Sequence, residues 1–203
     1  ARYRRAASAL SDARKKAAGK LDKAVNTEIK PLKLDRAVFS TSISTDQEAA
    51  GPHGFDRVEF WVQTNPGTRP GPLLKVASGG ELARFLLALK VVLADKGSAP
   101  TLVFDEIDTG VGGAVADAIG MRLAKLASRV QAIAVTHAPQ VAARANRHYV
   151  IAKGALGKGK RVATRVSEVA AERRREEIAR MLAGAEITDE ARAAAERLIK
   201  AAG

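Results

Sequence analysis

The chain contains no cysteine. Disulfide staples and thiolate metal centres are therefore excluded, and an extracellular setting gains no support. Aromatic residues are scarce, at 4% of 203 positions, although hydrophobic residues make up 46%. The core must then be assembled mainly from Ala, Leu, Val and Ile. No apolar run approaches the roughly 20 residues that cross a bilayer as a helix. The opening ARYRRAASAL is basic but lacks the apolar segment of a secretion signal. Negative charge is also in short supply: 22 acidic residues face 34 lysines and arginines, a formal net charge of +12. Between Asp117 and Glu168 there is no acid at all, against ten Lys and Arg, and the first 36 residues hold eleven Lys and Arg against four acids. Such an excess expects an anionic partner, nucleic acid first; a solvated basic surface is the plainer alternative. A start at Ala1 rather than Met fits a piece of a longer protein.

What is present divides into an N-terminal extension and an α/β part. Residues 1–30 read as one helix, with Tyr3, Ala7, Leu10, Ala17, Leu21 and Ala24 spaced by threes and fours. That is a thin coiled-coil-like seam, weakened by Arg14 and Glu28, and Pro31 ends it. Residues 36–45 and 55–63 alternate apolar and polar, the period of strands, with a turn over Glu48–Gly54. Trp61 is expected to face away from Phe60 and to pack rather than bind. NPGTRPGP then interrupts regular structure up to Leu73. From Ser78 the pattern predicts a helix over 79–94, a strand over 101–104, a helix over 114–127 and a strand over 132–135. Further strands are expected over 148–152 and 161–166, then helices over 172–183 and 188–201. Gly184 stands where a helix C-cap belongs and Thr188 where an N-cap belongs. Apolar strands interleaved with helices predict an α/β fold with a largely parallel, covered sheet.

Three motifs carry chemistry. In SGGEL, Ser78 can cap a helix and Glu81, three residues on, completes a capping box. Gly79 and Gly80 leave the helix start open, so its unpaired N–H groups and positive dipole end are available to an anion. In TLVFDEIDTG, four apolar residues form a strand whose C-terminal end carries Asp105 and Glu106. That end is where α/β sheets bind ligands, so one acid is suited to Mg²⁺ through water and the next to activating a water. His137 follows the next strand and reaches the same crevice if the two strands are neighbours. His53 and His148 receive no role. GALGKGKR, residues 154–161, nearly matches a phosphate-binding loop, but Arg161 stands where a hydroxyl must ligate the metal, and β-like RVATRV follows instead of a helix. It is read as a basic hairpin.

The order and spacing of these motifs resemble ABC-type ATPases, and a helical entry without the phosphate-gripping Walker A segment resembles their SMC-like branch. VEFWVQTNPG, KVASGGELARFLLALK, VFDEIDTGVGG, VTHAPQVAA and EIARMLAGAEIT are in finer detail similar to the RecN family of bacterial double-strand-break repair proteins. The resemblance implies that residues 1–30 end a coiled-coil arm and that 31–203 form the C-terminal lobe of an ATPase head. It further implies that Ser78, Gly79, Gly80 and Glu81 are the signature contacting nucleotide on an opposite head, and that Asp105 is the Mg²⁺ residue. Glu106 would be the general base, His137 the γ-phosphate sensor, and Asp108 part of a nucleotide-contacting D-loop. Gly112 stands where the broader pattern has the D-loop Asp, a departure. ATP and Mg²⁺ are the implied cofactors. The implied partners are a Walker A lobe of the same protein, a second head and DNA, in a bacterial cytoplasmic, nucleoid-associated setting without membrane. Two other readings stand beside this one: a non-enzymatic DNA-binding or dimerisation module resting on the basic 118–167 stretch, to be tested at Lys158, Lys160 and Arg161, and an ABC transporter subunit.

Overall fold

Helix α1, Arg2–Ile29, runs for 28 residues, about 42 Å at 1.5 Å per residue. The computed structural model describes residues 1–203 apart from 49, 95, 98, 156–161 and 185. Much of the near-miss phosphate loop, with Lys158, Lys160 and Arg161, thus lies outside the described residues. Among those described, no helix is long and apolar enough to cross a membrane.

The buried stripe of α1 is Ala7, Ser11, Val25 and Ile29. It is offset from the predicted seam, in which Tyr3 and Leu10 remain partly exposed and Ala17 exposed. The reason is polar. The helix lies along an antiparallel hairpin of β1, Val38–Thr45, and β2, Asp56–Gln63, and side-chain hydrogen bonds fix its rotation. Ser11 Oγ donates to Asp56 Oδ1 at 2.8 Å, and Arg14 Nη1 donates to Asp56 Oδ2 at 3.0 Å. Asn26 serves the backbone of Phe39 at both its N–H and its C=O, 2.9 and 2.8 Å. Tyr3 meets the turn between the strands, donating to the Gly51 carbonyl at 2.8 Å and packing edge-on against Phe55. Phe39 and Phe60 lie on the same face, rings 5.4 Å apart, so strand alternation turns Trp61 to the other face. A short β3, Gly71–Pro72, pairs with β2, and α2 is one turn, Leu73–Val76.

The remainder is the expected α/β alternation. Helix α3 spans Gly79–Val92, β4 Thr101–Asp105, α4 Gly113–Ala127 and β5 Gln131–Val135. Strands β4 and β5 pair in parallel, Asp105 opposite Val135. A five-residue helix α5, Pro139–Ala143, was not anticipated; it is too short for periodicity to reveal. Strands β6, Tyr149–Ala155, and β7, Val162–Glu168, form an antiparallel hairpin. Helices α6, Ala171–Ala183, and α7, Asp189–Ala202, close the chain. Their junction is capped as read: Gly184 takes φ +77°, and the Thr188 hydroxyl accepts from the Ala191 N–H.

One core joins the end of α1 (Val25, Ile29) to Phe39 and Val62 of the hairpin, Phe85 and Leu87 of α3, Phe104 of β4, and Ile119 and Leu126 of α4. Glu28 of α1 reinforces it by pairing with Arg122 of α4 at 3.1 Å. A second cluster, Ala142, Ala143, Ile178, Ala179 and Ala195, holds α5 to α6 and α7. Arg174 ties α6 to the end of α5, donating to the carbonyls of Ala142, Ala143 and Ala145.

The parallel pair is covered on one side only. Phe104 is buried and Leu102, Ala132 and Ala134 are partly buried against the helices, whereas Val103, Ile133 and Val135 on the opposite face are 66%, 46% and 47% exposed. The β6–β7 hairpin is similarly bare at Ile151 and Val166, which face each other across its strands. Parallel strands are ordinarily covered on both faces.

Candidate functional site

The site assembles at the C-terminal end of β4. Four apolar-to-neutral positions carry the strand to Asp105, and the chain then turns sharply. Glu106 makes that turn with φ +52°, one of two described non-glycine residues with positive φ, the other being Lys33. A left-handed backbone costs a residue with a Cβ about 1–2 kcal/mol. Such strain persists where the surrounding fold over-determines it, and it concentrates at functional sites. Ile107 and Asp108, both buried, anchor the turn and leave Asp105 and Glu106 exposed. Among the described residues, neither carboxylate has a hydrogen bond or an ion pair. Two unneutralised acids at a strand end suit a hydrated cation that takes one or two protein carboxylates and keeps several waters. No group of three or more possible metal ligands exists among the described residues, so any cation here needs oxygens from elsewhere.

The β4–β5 register sets Asp105 beside Val135, so Thr136 and His137 leave β5 next to Glu106 and Ile107. This is the neighbouring-strand arrangement that the sequence reading of His137 required. Its imidazole is 77% exposed, with Nδ1 3.9 Å from Asp108 Oδ1. Asp108 does not present itself to a ligand. Its side chain is fully buried, and Oδ2 accepts from the Thr136 hydroxyl and, at 3.0 Å, from the Ala138 N–H. The expectation that Asp108 contacts nucleotide thus meets a carboxylate turned inward, because two donors on the β5 loop claim it.

Ser78–Glu81 form the predicted capping box at the start of α3. Glu81 Oε2 accepts from the Ser78 backbone N–H at 2.9 Å and from its hydroxyl at 2.7 Å. These bonds hold the Glu81 carboxyl below its ordinary value. Glu81 is therefore committed to shaping the turn, while Ser78 and Gly79 are exposed. A Cβ at Gly80 would lie tightly against Arg84 Nη1, at 3.3 Å, and in ordinary contact with the Thr109 carbonyl at 3.8 Å. The turn at Ser78–Glu81 thus lies close to the loop after β4.

Two residues were not singled out from the sequence. Arg84 is buried one turn into α3, and its Nε has no partner among the described residues. No local sequence signal hinted at this. Thr136, just past the strand expected over 132–135, donates to Asp108; a hydroxyl next to a candidate site was the available signal. His148 is half-buried, and burial lowers the basicity of its imidazole; it stands apart in the second cluster's neighbourhood, facing Arg174, Glu177 and Arg180.

This architecture has the fold of part of an Smc head domain. The chain superposes on the Smc head domain with a coiled coil and joint from Pyrococcus yayanosii with TM-score 0.55 and 19% identity, over 78% of this chain and 28% of that one. The SmcHead bound to the C-winged helix domain of ScpA gives TM-score 0.54 at 17% identity, over 78% and 44%. At those identities the likeness is one of fold. No family model matches the chain. Its sequence is 44% identical over 190 residues to the DNA repair protein RecN of Rickettsia bellii, covering 94% of this chain. It is 42% identical over 207 residues to that of Streptomyces coelicolor, covering 97%. The chain belongs to the RecN family and matches the C-terminal part of its members. It spans 34% and 36% of those two relatives' length.

Proposed function

We propose that this chain is the C-terminal lobe of an ATP-hydrolysing head that engages a second head around ATP and acts on DNA in double-strand-break repair. The observation that carries the reading is the strained turn at Glu106, with two unpartnered carboxylates at the end of a parallel strand and His137 on the loop beside them. Asp105 would hold Mg²⁺ through water, and the cation would neutralise charge on the transferring phosphoryl group. Glu106 orients a water and accepts its proton as it attacks. His137 faces the terminal phosphate. Ser78, Gly79 and Gly80 present the N-terminus of α3 to nucleotide held by the opposite head. The exposed faces of β4–β5 and β6–β7 receive the Walker A lobe, and α1 continues into a coiled-coil arm. The chain by itself binds Mg-ATP weakly or not at all. Head engagement driven by ATP and reversed by hydrolysis would then move the arms and hold DNA.

The test is Glu106→Gln in the full-length protein. ATP binding should persist while hydrolysis falls at least about 100-fold, the scale of general-base loss. Near-normal turnover overturns the assignment.

A second reading, DNA contact by this lobe itself, is favoured by one groove. It is lined by Lys20, Lys23 and Glu28 of α1, by Lys125 of α4 and by Arg129 just beyond the end of α4. Lysines and arginines gathered in this way neutralise phosphates and make binding salt-dependent.

A further inference from the structure

We propose that Asp108 is a positioning residue: it locks the turn carrying Glu106 to the loop carrying His137 and holds the imidazole with Nε2 turned outward. This rests on the proposed ATPase reading and adds to it a role that touches no nucleotide.

Asp108 carries an unsatisfied buried atom. Asp108 is 2% exposed, and its Oδ2 is fully occupied by the Thr136 hydroxyl and the Ala138 N–H. The Ala138 N–H also reaches Thr136 Oγ1 at 2.9 Å, so the three groups close on one another. Oδ1 is buried as well and has no hydrogen-bond partner among the described residues. A buried carboxylate oxygen without a donor is costly. The donor nearest to it in these contacts is His137 Nδ1, at 3.9 Å. That exceeds hydrogen-bonding range by less than about 1 Å. Contacts of this kind are commonly long before substrate is bound and tighten in the complex.

The geometry has two consequences. Closing the Nδ1 contact satisfies Oδ1 and fixes the plane of a ring that is otherwise 77% exposed. Because Nδ1 and Nε2 lie on opposite edges of the imidazole, Nε2 then faces the crevice. Asp108 also stands two residues after Glu106 on the same turn. Its bonds to Thr136 and Ala138, on either side of His137, therefore set the separation of the two groups that act on the nucleotide.

The experiment uses the full-length protein and steady-state ATPase kinetics. Asp108→Asn keeps an oxygen for Thr136 and Ala138 but sets an amide against His137. It should lower kcat roughly 10- to 100-fold, as loss of a histidine's orienting carboxylate does, with KM for ATP within about threefold and an unfolding midpoint near that of the parent. Combined with His137→Gln, it should be no slower than His137→Gln alone. Thr136→Val, which removes one donor to the same carboxylate, should show the same non-additivity and serves if Asp108→Asn fails to fold. Losses that multiply, or a raised KM at unchanged kcat, overturn the inference. A slowed His137→Gln beside an unimpaired Asp108→Asn overturns the inference alone. Unchanged turnover in His137→Gln overturns the proposed role of His137 and this inference with it.

Discussion

Val103 offers the sharpest test of how the lobe is completed. It sits in the middle of β4 on the bare face of the parallel pair, 66% exposed, flanked across the strands by Ile133 and Val135. Burying a whole Val or Ile side chain contributes about 2 kcal/mol. Scaled by their exposed fractions, the three residues contribute together about 3 kcal/mol when a Walker A lobe covers them, roughly a hundredfold in affinity. Val103→Ala should forfeit most of its own share, about 1 kcal/mol, and weaken association about fivefold. Val103→Asp places an unpaired carboxylate in the interface at a cost of several kcal/mol and should abolish association at micromolar concentration. Because the side chain is exposed in this lobe alone, neither change should alter the lobe's own circular dichroism. The assay is titration calorimetry of the two lobes produced as separate polypeptides, followed by ATPase measurement on the mixture. If the Val103→Asp lobe bound its counterpart with parental affinity, the bare face would not be the docking face and the reasoning would fail.

The remaining predictions concern the signature turn and the basic groove. Glu81, whose carboxyl is held low by Ser78, contributes its capping bonds above its ordinary value of 4.5 and loses them as pH falls through the lower folded value. The stability gap between the parent and Glu81→Ala, about 1 kcal/mol at neutral pH, should narrow below pH 4.5 in thermal unfolding; a gap constant with pH refutes it. Lys20→Glu with Lys23→Glu should weaken DNA binding by the full-length protein and reduce the salt slope by about 2, measured by fluorescence anisotropy across salt concentrations. An unchanged slope would place the DNA elsewhere.

Much of this was legible in the sequence where the signal is local. The capping box at Ser78–Glu81, the cap pair Gly184 and Thr188, and the strand that delivers Asp105 and Glu106 each depend on a few adjacent residues, and each stands where expected. His137 was expected in the same crevice if its strand neighboured β4, and the parallel β4–β5 pairing meets that condition. What was illegible depends on distant partners. Ser11 entered the buried stripe of α1 because Asp56, 45 residues away, accepts its hydroxyl, and an apolar-only pattern cannot register that. Asp108 was expected to contact nucleotide from a glycine-rich loop, yet donors about 30 residues on turn it inward. Arg84 carries no local sequence signal for its burial, which puts its guanidinium close to Gly80. The feel of a coiled coil over residues 1–30 was correct in period and offset in phase for the same reason.

The left-handed backbone at Glu106 has an evolutionary consequence. Under the proposed role of Glu106, a carboxylate is kept at a position that glycine, and next asparagine, would occupy with less strain. A lineage in which water activation no longer mattered would be free to drift toward those two residues and would gain stability by doing so. Their appearance after the strand-end aspartate would therefore mark a head retained for assembly rather than turnover.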